Sequence, residues 1–230
     1  MLDIKKLSVS YGKYKALDNI TFHINKGEVV GLLGPSGSGK TTFMNTVAGL
    51  IPYNHGEVLI NGQNPNEKTK GYVSLLTEKN AIPKWMGVED IREFYIEMYE
   101  DFNENKFDSI LQDIKINIPY SKKIKDLSKG MAQLLRLSLS IAREAELYLL
   151  DEPLGGMDTL VREQVIDTII NNIDSNSTII VATHLIPEVE KLLDKVIFLN
   201  NGQMIGIHNC EDLRFQKNQS IEKTFKEVMR

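Results

Sequence analysis

A glycine-rich segment, GPSGSGKTT at residues 34–42, has residue types and spacing that could do chemistry. Gly34, Gly39, Lys40 and Thr41 fit the pattern of a phosphate-binding loop, between a predicted buried strand and a predicted helix. In such a loop, backbone N–H groups and the positive end of the helix dipole surround an anion. Lys40 would contact the β- and γ-phosphates, and the Thr41 hydroxyl would bind Mg²⁺. The alternative is a glycine-rich turn, but the pattern in this context favours binding of a nucleoside triphosphate.

The segment LYLLDEP, at residues 147–153, places two carboxylates directly after four apolar residues. A buried parallel strand would bring Asp151 to the carboxyl end of the sheet, where the ligands of such sheets bind. There Asp151 could orient Mg²⁺ through a water molecule, and Glu152 could polarise a water molecule for attack on the γ-phosphate. The alternative is an acidic turn after a core strand, which the nearby phosphate-binding pattern disfavours.

A third segment, LSKGM at residues 127–131, stands at the start of a predicted helix about twenty residues before Asp151. Ser128 suits the N-cap position, and Gly130 permits another group to approach the backbone closely. Taken alone, the segment is typical of an ordinary helix N-terminus. Its meaning depends on the other two segments.

β-Strands alternating with helices must position these segments. Alternating apolar residues predict two antiparallel strands at residues 4–10 and 19–24, each with one buried face. Apolar runs predict buried strands separated by helical patterns, which is typical of a mainly parallel sheet with helices on both faces. These strands are predicted at residues 29–33, 147–150, 178–182 and 195–199, with the last as the final strand.

Further patterns fill the spaces between these strands. The strand GEVLINGQ ends in Asn61-Gly62, a hairpin signal. Residues 88–114 are predicted to be helical, and a short amphipathic helix is predicted at residues 221–229. One side of the helical stretch would carry Ile91, Phe94, Tyr95, Met98 and Phe102. The helical pattern between about 80 and 142 predicts a subdomain inserted into the core that contains the sheet.

Composition excludes several classes of protein. The net charge of −4, with no sustained run of Lys or Arg, argues against binding of nucleic acid. The single cysteine, Cys210, excludes an intramolecular disulfide and fits a reducing compartment. The start of the chain lacks an apolar signal core, and its apolar runs are far shorter than the roughly 20 residues that span a bilayer. We expect a soluble, cytosolic chain.

The ordered set of segments resembles the ATP-binding subunit of ABC transporters over essentially the whole chain: Tyr11, GPSGSGKTT, LSKGM, LYLLDEP, LGGMD and VATH. The resemblance implies an α/β fold, a P-loop NTPase with a RecA-like, mainly parallel sheet core, an antiparallel β region and an inserted α-helical subdomain. Residues 1–230 would form one ABC ATPase domain, with the core at 1–79 and 143–230 and the helical subdomain at 80–142. It also implies a head-to-tail dimer with two ATP sites.

The resemblance assigns roles to individual residues. Glu152, His184 and Lys40 would be catalytic, with His184 contacting the γ-phosphate. Tyr11 matches the aromatic residue that stacks on adenine, and Asp158 matches an aspartate that crosses the dimer interface. Tyr11 could instead be a core tyrosine, and His184 could be satisfied locally. The ATP-binding positions would be Tyr11, Gly34, Pro35, Ser36, Gly37, Ser38, Gly39, Lys40, Thr41, Thr42, Ser128, Lys129, Gly130 and Asp158. The Mg²⁺ positions would be Thr41, Asp151 and Glu78.

The chain departs from the family pattern at several positions. Glu78 aligns where the family has a glutamine that senses the nucleotide, and it could still reach Mg²⁺ through water. Lys129 and Met131 replace the usual Gly and Gln of the signature segment, and Gly155 replaces a common small hydroxyl residue. Lys129 would add a cation near the docking position of the γ-phosphate. None of these changes removes Asp151 or the proposed base, so we expect an active ATPase.

The function implied by the resemblance is that of the ATP-hydrolysing subunit of an ABC transporter. ATP would close a dimer of two such subunits, with Ser128, Lys129 and Gly130 of one subunit contacting the γ-phosphate held by the other. Hydrolysis would open the dimer and drive movement of a substrate, with export in the manner of antibiotic-resistance transporters expected. The partners would be an integral membrane permease and a second, identical or different, ATPase subunit. The chain would lie on the inner face of the cell membrane, with its docking groove beside residues 78–100.

Two other classes of function compete with this interpretation. A soluble, non-transport ABC ATPase acting on nucleic acid or ribosomes would carry long coiled-coil insertions, two ATPase units in one chain or a basic surface, and the sequence has none of these. A purely regulatory nucleotide-binding module would be expected to have lost Glu152 or His184. Both residues are present.

Overall fold

A computed structural model of the protein describes residues 1–77, 82–114, 118–216 and 219–229. The strands in these ranges are β1 (Leu2–Tyr11), β2 (Tyr14–Ile24), β3 (Val29–Leu33), β4 (His55–Ile60), β5 (Val73–Leu76), β6 (Leu147–Asp151), β7 (Thr178–Thr183), β8 (Lys195–Asn200) and β9 (Gln203–Asn209). The helices in these ranges are α1 (Lys40–Val47), α2 (Glu67–Lys70), α3 (Val88–Met98), α4 (Glu104–Asp113), α5 (Lys129–Ile141), α6 (Thr159–Asn172), α7 (Ile186–Val189) and α8 (Ile221–Val228).

The main sheet has six strands in the order β5-β6-β7-β3-β8-β9. All neighbours are parallel except β8 and β9. Strands β6, β7 and β3 are buried along nearly their whole length, because helices cover both faces of the sheet. Their register pairs Leu33 with Thr183 and Asp151 with Ala182, so these three strands end side by side. The predicted parallel α/β sheet is confirmed.

A second, antiparallel sheet has the order β2-β1-β4. Its inner face and helix α1 pack on the main sheet around one apolar cluster, which includes Leu7, Ile20, Phe43 and Leu149. The predicted antiparallel strands near the start of the chain are therefore present, and both are longer than predicted. Asn61 and Gly62 form the predicted tight turn, both with positive φ. The chain pairs with itself across this turn only at Ile60 and Gln63, because β4 otherwise pairs with β1 and the chain continues into α2.

Two predictions about elements are corrected. Strand β8 is not the final strand, because the Asn201-Gly202 turn leads into β9. Residues 88–114 form two helices rather than one helical stretch, with a break at residues 99–103. Phe94 and Met98 are exposed, so the apolar side predicted for the stretch is only partly buried.

The turn between β8 and β9 braces the glycine-rich loop from behind. The N–H of Gly202 donates to the carbonyl of Ser38 at 3.0 Å, and its carbonyl accepts from the N–H of Asp18 at 2.8 Å. Gly34 approaches the same hairpin so closely that a Cβ there would lie 2.3 Å from the carbonyl oxygen of Leu199. The loop is thus held by the β8–β9 turn, which is itself hydrogen-bonded to β2.

Helices α3, α4 and α5 share an apolar cluster of their own, including Val88, Phe107, Leu135 and Leu139. The cluster lies apart from the two that pack on the main sheet. Within the ranges that the structure describes, no helix has both the length and the apolar character needed to cross a bilayer.

Candidate active site

A cavity of about 810 Å³ lies at the carboxyl ends of β3, β6 and β7. Because the three strands end in register, the segments that follow them meet at this edge. The glycine-rich loop follows β3, Glu152 follows β6 and His184 follows β7. The predicted site residues that line the cavity are Ser36, Gly37, Gly39, Lys40, Thr41, Thr42, Lys129, Asp151, Glu152 and His184.

The other predicted site residues lie outside this lining. Pro35 and Ser38 belong to the loop but not to the cavity wall, and Gly34 packs against β8. Ser128 is the N-cap of α5, where its Oγ accepts from the N–H of Met131 at 3.2 Å. The remaining positions off the wall are Tyr11, Gly130 and Asp158. Glu78 lies outside the residues that the structure describes.

The loop wraps around the side chain of Lys40. The buried Nζ donates to the carbonyl oxygens of Gly34 and Pro35, at 2.7 and 3.0 Å. Gly39 is the N-cap of α1 with φ 108°, a left-handed conformation that favours glycine, and no side chain caps the helix. The first N–H groups of α1 therefore lack a capping side chain, and Lys40, Thr41 and Thr42 of this turn all line the cavity. This end of α1 can bind a phosphate.

Thr41 and Asp151 come together from different elements. The Thr41 hydroxyl donates to Oδ2 of Asp151 at 2.6 Å, and Asp151 is only 1% exposed. No group of three or more His, Cys, Asp or Glu residues that could hold a metal by itself occurs in the described part of the chain. Mg²⁺ at phosphate sites usually takes one or two protein oxygens and completes its shell with phosphate and water oxygens. This hydroxyl and carboxylate fit such an ion.

Glu152 is held in an unusual backbone conformation, with φ 49°. Its Oε2 accepts from the Thr183 hydroxyl at 2.9 Å, and its Oε1 contacts Nδ1 of His184 at 2.8 Å. When Glu152 is ionised its carboxylate only accepts hydrogen bonds, so Nδ1 of His184 is then the donor of this contact. The N–H of Leu185 donates to the Thr183 hydroxyl and so fixes the direction of the Thr183 hydrogen. The carboxylate is thus oriented by the last residue of β7 and by the residue that follows it.

Helix α5 contributes two polar cavity residues that sequence reasoning missed. Gln133 and Arg136 line the wall together with Lys129. The three are spaced four and three residues apart, so they share one face of the helix. That spacing of polar residues on an otherwise apolar helix is the signal that could have identified them. Burial lowers the pKa of the Arg136 guanidinium, which still remains charged.

Tyr14 was also missed. Tyr11 and Tyr14 are paired across the turn of the β1–β2 hairpin, and it is Tyr14 that lines the cavity. Both rings are about half exposed, so neither is a core tyrosine. Asp158 is exposed and caps α6, accepting from the N–H of Val161 at 3.0 Å. Its predicted role at a dimer interface stays a prediction.

Comparison with known proteins gives consistent results at the level of family. A family model described as ABC transporter matches residues 17–155. An uncharacterized ABC transporter ATP-binding protein of Methanocaldococcus jannaschii is 32% identical, over 92% of this chain and 79% of its own length. The lantibiotic transport ATP-binding protein SrtF of Streptococcus pyogenes is 28% identical, over 93% of this chain and 95% of its own. The linearmycin resistance ATP-binding protein LnrL of Bacillus subtilis is 27% identical, over 93% and 70%.

Solved structures share the fold. An ATP-binding subunit of an ABC transporter superposes with a TM-score of 0.88 at 23% identity, over all of both chains. A dimeric ATP-binding cassette bound to ADP and Pi, in a post-hydrolysis state, superposes with a TM-score of 0.80 at 23% identity, over 91% of this chain and 99% of the other.

Proposed function

This chain belongs to the ABC transporter family as an ATP-binding subunit that hydrolyses ATP, and we propose that it does so in the cavity at the ends of β3, β6 and β7. One observation carries the assignment. The Glu152 carboxylate, aimed by Thr183 and His184, lines the same cavity as Lys40 and the Thr41–Asp151 pair. A water-activating group, a phosphate-binding cation and a metal-binding pair therefore share one space.

The triphosphate is bound by the N-terminus of α1 and by Lys40. To reach it, the Lys40 ammonium exchanges its two carbonyl partners within the loop for phosphate oxygens, which are stronger partners because they are charged. Thr41 and Asp151 would hold Mg²⁺, which would supply positive charge to the phosphates. Tyr14, at the edge of the cavity, is placed to contact the base beside Tyr11.

Glu152 orients and deprotonates the attacking water. Thr183 and His184 hold its two oxygens, so the carboxylate needs little reorganisation when the water arrives. Nδ1 of His184 is used by Glu152, so Nε2 is the ring nitrogen left for a phosphate oxygen, and it can donate to that oxygen only when both ring nitrogens carry protons. Catalysis in such a site consists mostly of positioning and electrostatic stabilisation.

A second ATPase subunit completes the site. The start of α5, with Ser128, Lys129 and Gly130, contacts the γ-phosphate held by the partner, and Asp158 lies at the interface. Exposure of Asp158 and of Leu160, which is 76% exposed, supports a partner on that side. ATP then favours the closed dimer, and loss of the γ-phosphate favours the open one. The division into a core at 1–79 and 143–230 and a helical subdomain at 80–142 is part of this proposal.

The membrane partner is an integral permease, and export is the proposed direction. The lantibiotic and linearmycin relatives named above support export, and a permease would hold the chain at the inner face of the cell membrane. Trp85 is 72% exposed and Phe94 of α3 is exposed as well, which supports docking at these residues. Tyr95 instead packs against Tyr99 and Phe102, and burial raises its pKa to about 12. No feature of the described residues favours a ribosomal or nucleic-acid substrate.

Replacement of Glu152 tests the proposal. Glu152→Gln keeps the shape and removes the charge of the base, so turnover should fall at least about tenfold while an ATP-bound dimer accumulates. Phosphate release and gel filtration with ATP measure the two effects, with the exposed Glu163→Gln as the control. Turnover equal to that of the unmodified protein would remove Glu152 from its role. The chain should be purified from detergent-solubilised membranes together with an integral membrane protein. A purified sample that contains no integral membrane protein would contradict the transport role.

A further inference from the structure

We propose that Gln133, fixed by Arg136, is a positioning residue that holds the backbone of Glu152 in the conformation from which its carboxylate acts. The proposal rests on the role of Glu152 proposed above. It assigns to α5 a function in its own active site, in addition to the contact of its N-terminus with a partner.

The conformation of Glu152 needs external support. Its φ of 49° lies in the left-handed region, which residues other than Gly, Asn and Asp rarely adopt. Such conformations persist where the surroundings over-determine them, and they cluster at active sites. The N–H of Glu152 donates to the carbonyl of Ala182 at 2.8 Å, and its carbonyl accepts from the N–H of Gly155 at 3.1 Å. These two bonds tie the residue to β7 and to the following turn.

Gln133 supplies a side-chain support. Its Nε2 donates to the carbonyl oxygens of both Glu152 and Pro153, each at 3.3 Å. The side chain is buried, at 4% exposed, so water competes little for these carbonyls. One amide group therefore binds the two peptide groups that follow Glu152, at the place where the chain turns away from the sheet.

Arg136 determines which way the amide points. Its Nη2 donates to Oε1 of Gln133, and its Nε donates to the carbonyl of Ala132 at 3.2 Å. Because a guanidinium only donates, it requires the amide oxygen on its own side. The NH₂ group of Gln133 is then directed at the carbonyls of Glu152 and Pro153. The three groups form a relay from Arg136 through Gln133 to the backbone of Glu152.

The main test replaces Gln133 by a residue of similar size that cannot donate. In Gln133→Leu the carboxylate loses its backbone support, so kcat should fall about tenfold. The Michaelis constant for ATP and the affinity for a fluorescent ATP analogue should stay within about twofold, because the phosphate contacts are elsewhere. The same substitution at an exposed glutamine, Gln164→Leu on α6, is the matched control and should leave kcat unchanged.

A double-mutant comparison separates positioning from general structural support. When Gln133→Leu is added to Glu152→Gln, the residual turnover should not fall further, because the group that Gln133 positions is already disabled. Release of radiolabelled phosphate over many hours measures this slow rate. A further fall of about tenfold would show that Gln133 does not act through Glu152 and would overturn the proposal.

A second variant covers the case in which Gln133→Leu does not fold. Arg136→Met keeps the stem of the side chain and leaves the buried amide in place, so kcat should fall about threefold with an unchanged thermal midpoint. If kcat is unaffected in both Gln133→Leu and Arg136→Met while Glu152→Gln is inactive, the relay is wrong and the proposed function stands. If Glu152→Gln is fully active, the proposed function fails, and the relay fails with it.

Discussion

Lys40 is bound to the loop that it is expected to leave when ATP enters. Its ammonium donates to the carbonyls of Gly34 and Pro35 and is buried. The side chain therefore contributes to the order of the loop before nucleotide binds, and to phosphate binding afterwards. Removal of the ammonium should affect both properties.

Lys40→Met tests both effects. Loss of two charge-assisted hydrogen bonds should lower the free energy of unfolding by about 1–3 kcal/mol without nucleotide. Affinity for ATP should fall by about tenfold or more, because the cation for the phosphates is gone. Urea denaturation and binding of a fluorescent ATP analogue measure the two, with the exposed Lys13→Met as the control. Unchanged ATP affinity would contradict the assigned role.

Residues with a fixed spacing were predictable from sequence. The loop residues Ser36, Gly37 and 39–42 line one cavity with the pair Asp151 and Glu152, as local patterns and the ends of parallel strands led us to expect. Gln133 and Tyr14 were not predicted. Their presence depends on how a helix and a hairpin pack against the sheet, and a single local pattern does not encode that packing.

Arg143 joins α3 to the sheet at the scale of elements. Its guanidinium forms two hydrogen bonds with the carboxylate of Asp101, at 2.8 and 2.9 Å, and lies 4.0 Å from the ring centre of Tyr99. It also donates to the carbonyls of Gly71 and Val73, at 2.9 and 3.0 Å, where β5 begins. One buried side chain therefore holds the end of α3 against the start of β5.

Arg143→Ala should separate these elements. The change leaves Asp101 and the three carbonyls of Lys70, Gly71 and Val73 without this donor, so the free energy of unfolding should fall by about 3 kcal/mol or more. Urea denaturation measures it, with Arg92→Ala, at a partly exposed pair of the helical region, as the control that should cost about 1 kcal/mol or less. An equal effect of the two substitutions would mean that Arg143 does not join α3 to the sheet.

The pair Glu28–Lys195 makes stability depend on pH where β3 and β8 begin. Burial raises the pKa of the Glu28 carboxyl, but hydrogen bonds from Lys195 and Asn25 outweigh it, so the pKa lies below its ordinary 4.5. A lowered pKa contributes stability above pH 4.5, and that stability is lost as the pH falls through the folded-state pKa. Glu28→Gln should therefore cost about 1 kcal/mol at pH 7, and the difference should disappear in acid.

Chemical denaturation from pH 7 down to pH 3 measures this dependence. Glu57→Gln, at the exposed pair with Lys5, is the control and should show a much smaller difference. A constant difference between Glu28→Gln and the unmodified protein at all pH values would exclude the ionic contribution.

Elements with their own apolar period were predictable, and their ends were less so. The helical stretch at 88–114 breaks because Tyr99 and Asp101 bind Arg143. Arg143 lies 42 positions after Asp101, so a local pattern could not predict this contact. Asn103 then begins α4 as its N-cap, accepting from the N–H of Lys106 at 3.0 Å, and Asn is a recognisable start signal. Strand β9 was missed because exposed residues alternate in it with partly buried ones, so it has no fully buried apolar face.

Association of two copies is tested at the scale of the whole molecule. Two variants with one added cysteine each, Ser36→Cys and Ser128→Cys, are each made with Glu152→Gln and then mixed with ATP. Their disulfide can form only between chains, so a cross-linked dimer should appear in the mixture with ATP and be absent with ADP. The native Cys210 does not interfere, because it is buried and burial raises its pKa to about 12. A mixture that forms no cross-link with ATP would contradict the trans contact.

The brace behind the loop has a consequence for genetics. Gly202 has φ 76°, and a Cβ there would lie 2.7 Å from the carbonyl oxygen of Ala16 on β2. Any larger residue must therefore push the β8–β9 turn away from β2 and from Ser38. In a genetic screen, a substitution such as Gly202→Val would then be found among the variants that have lost ATP binding. The substitution would lie outside the cavity that binds the nucleotide. Compensating substitutions should therefore be sought among the neighbours of Gly202 rather than in the cavity.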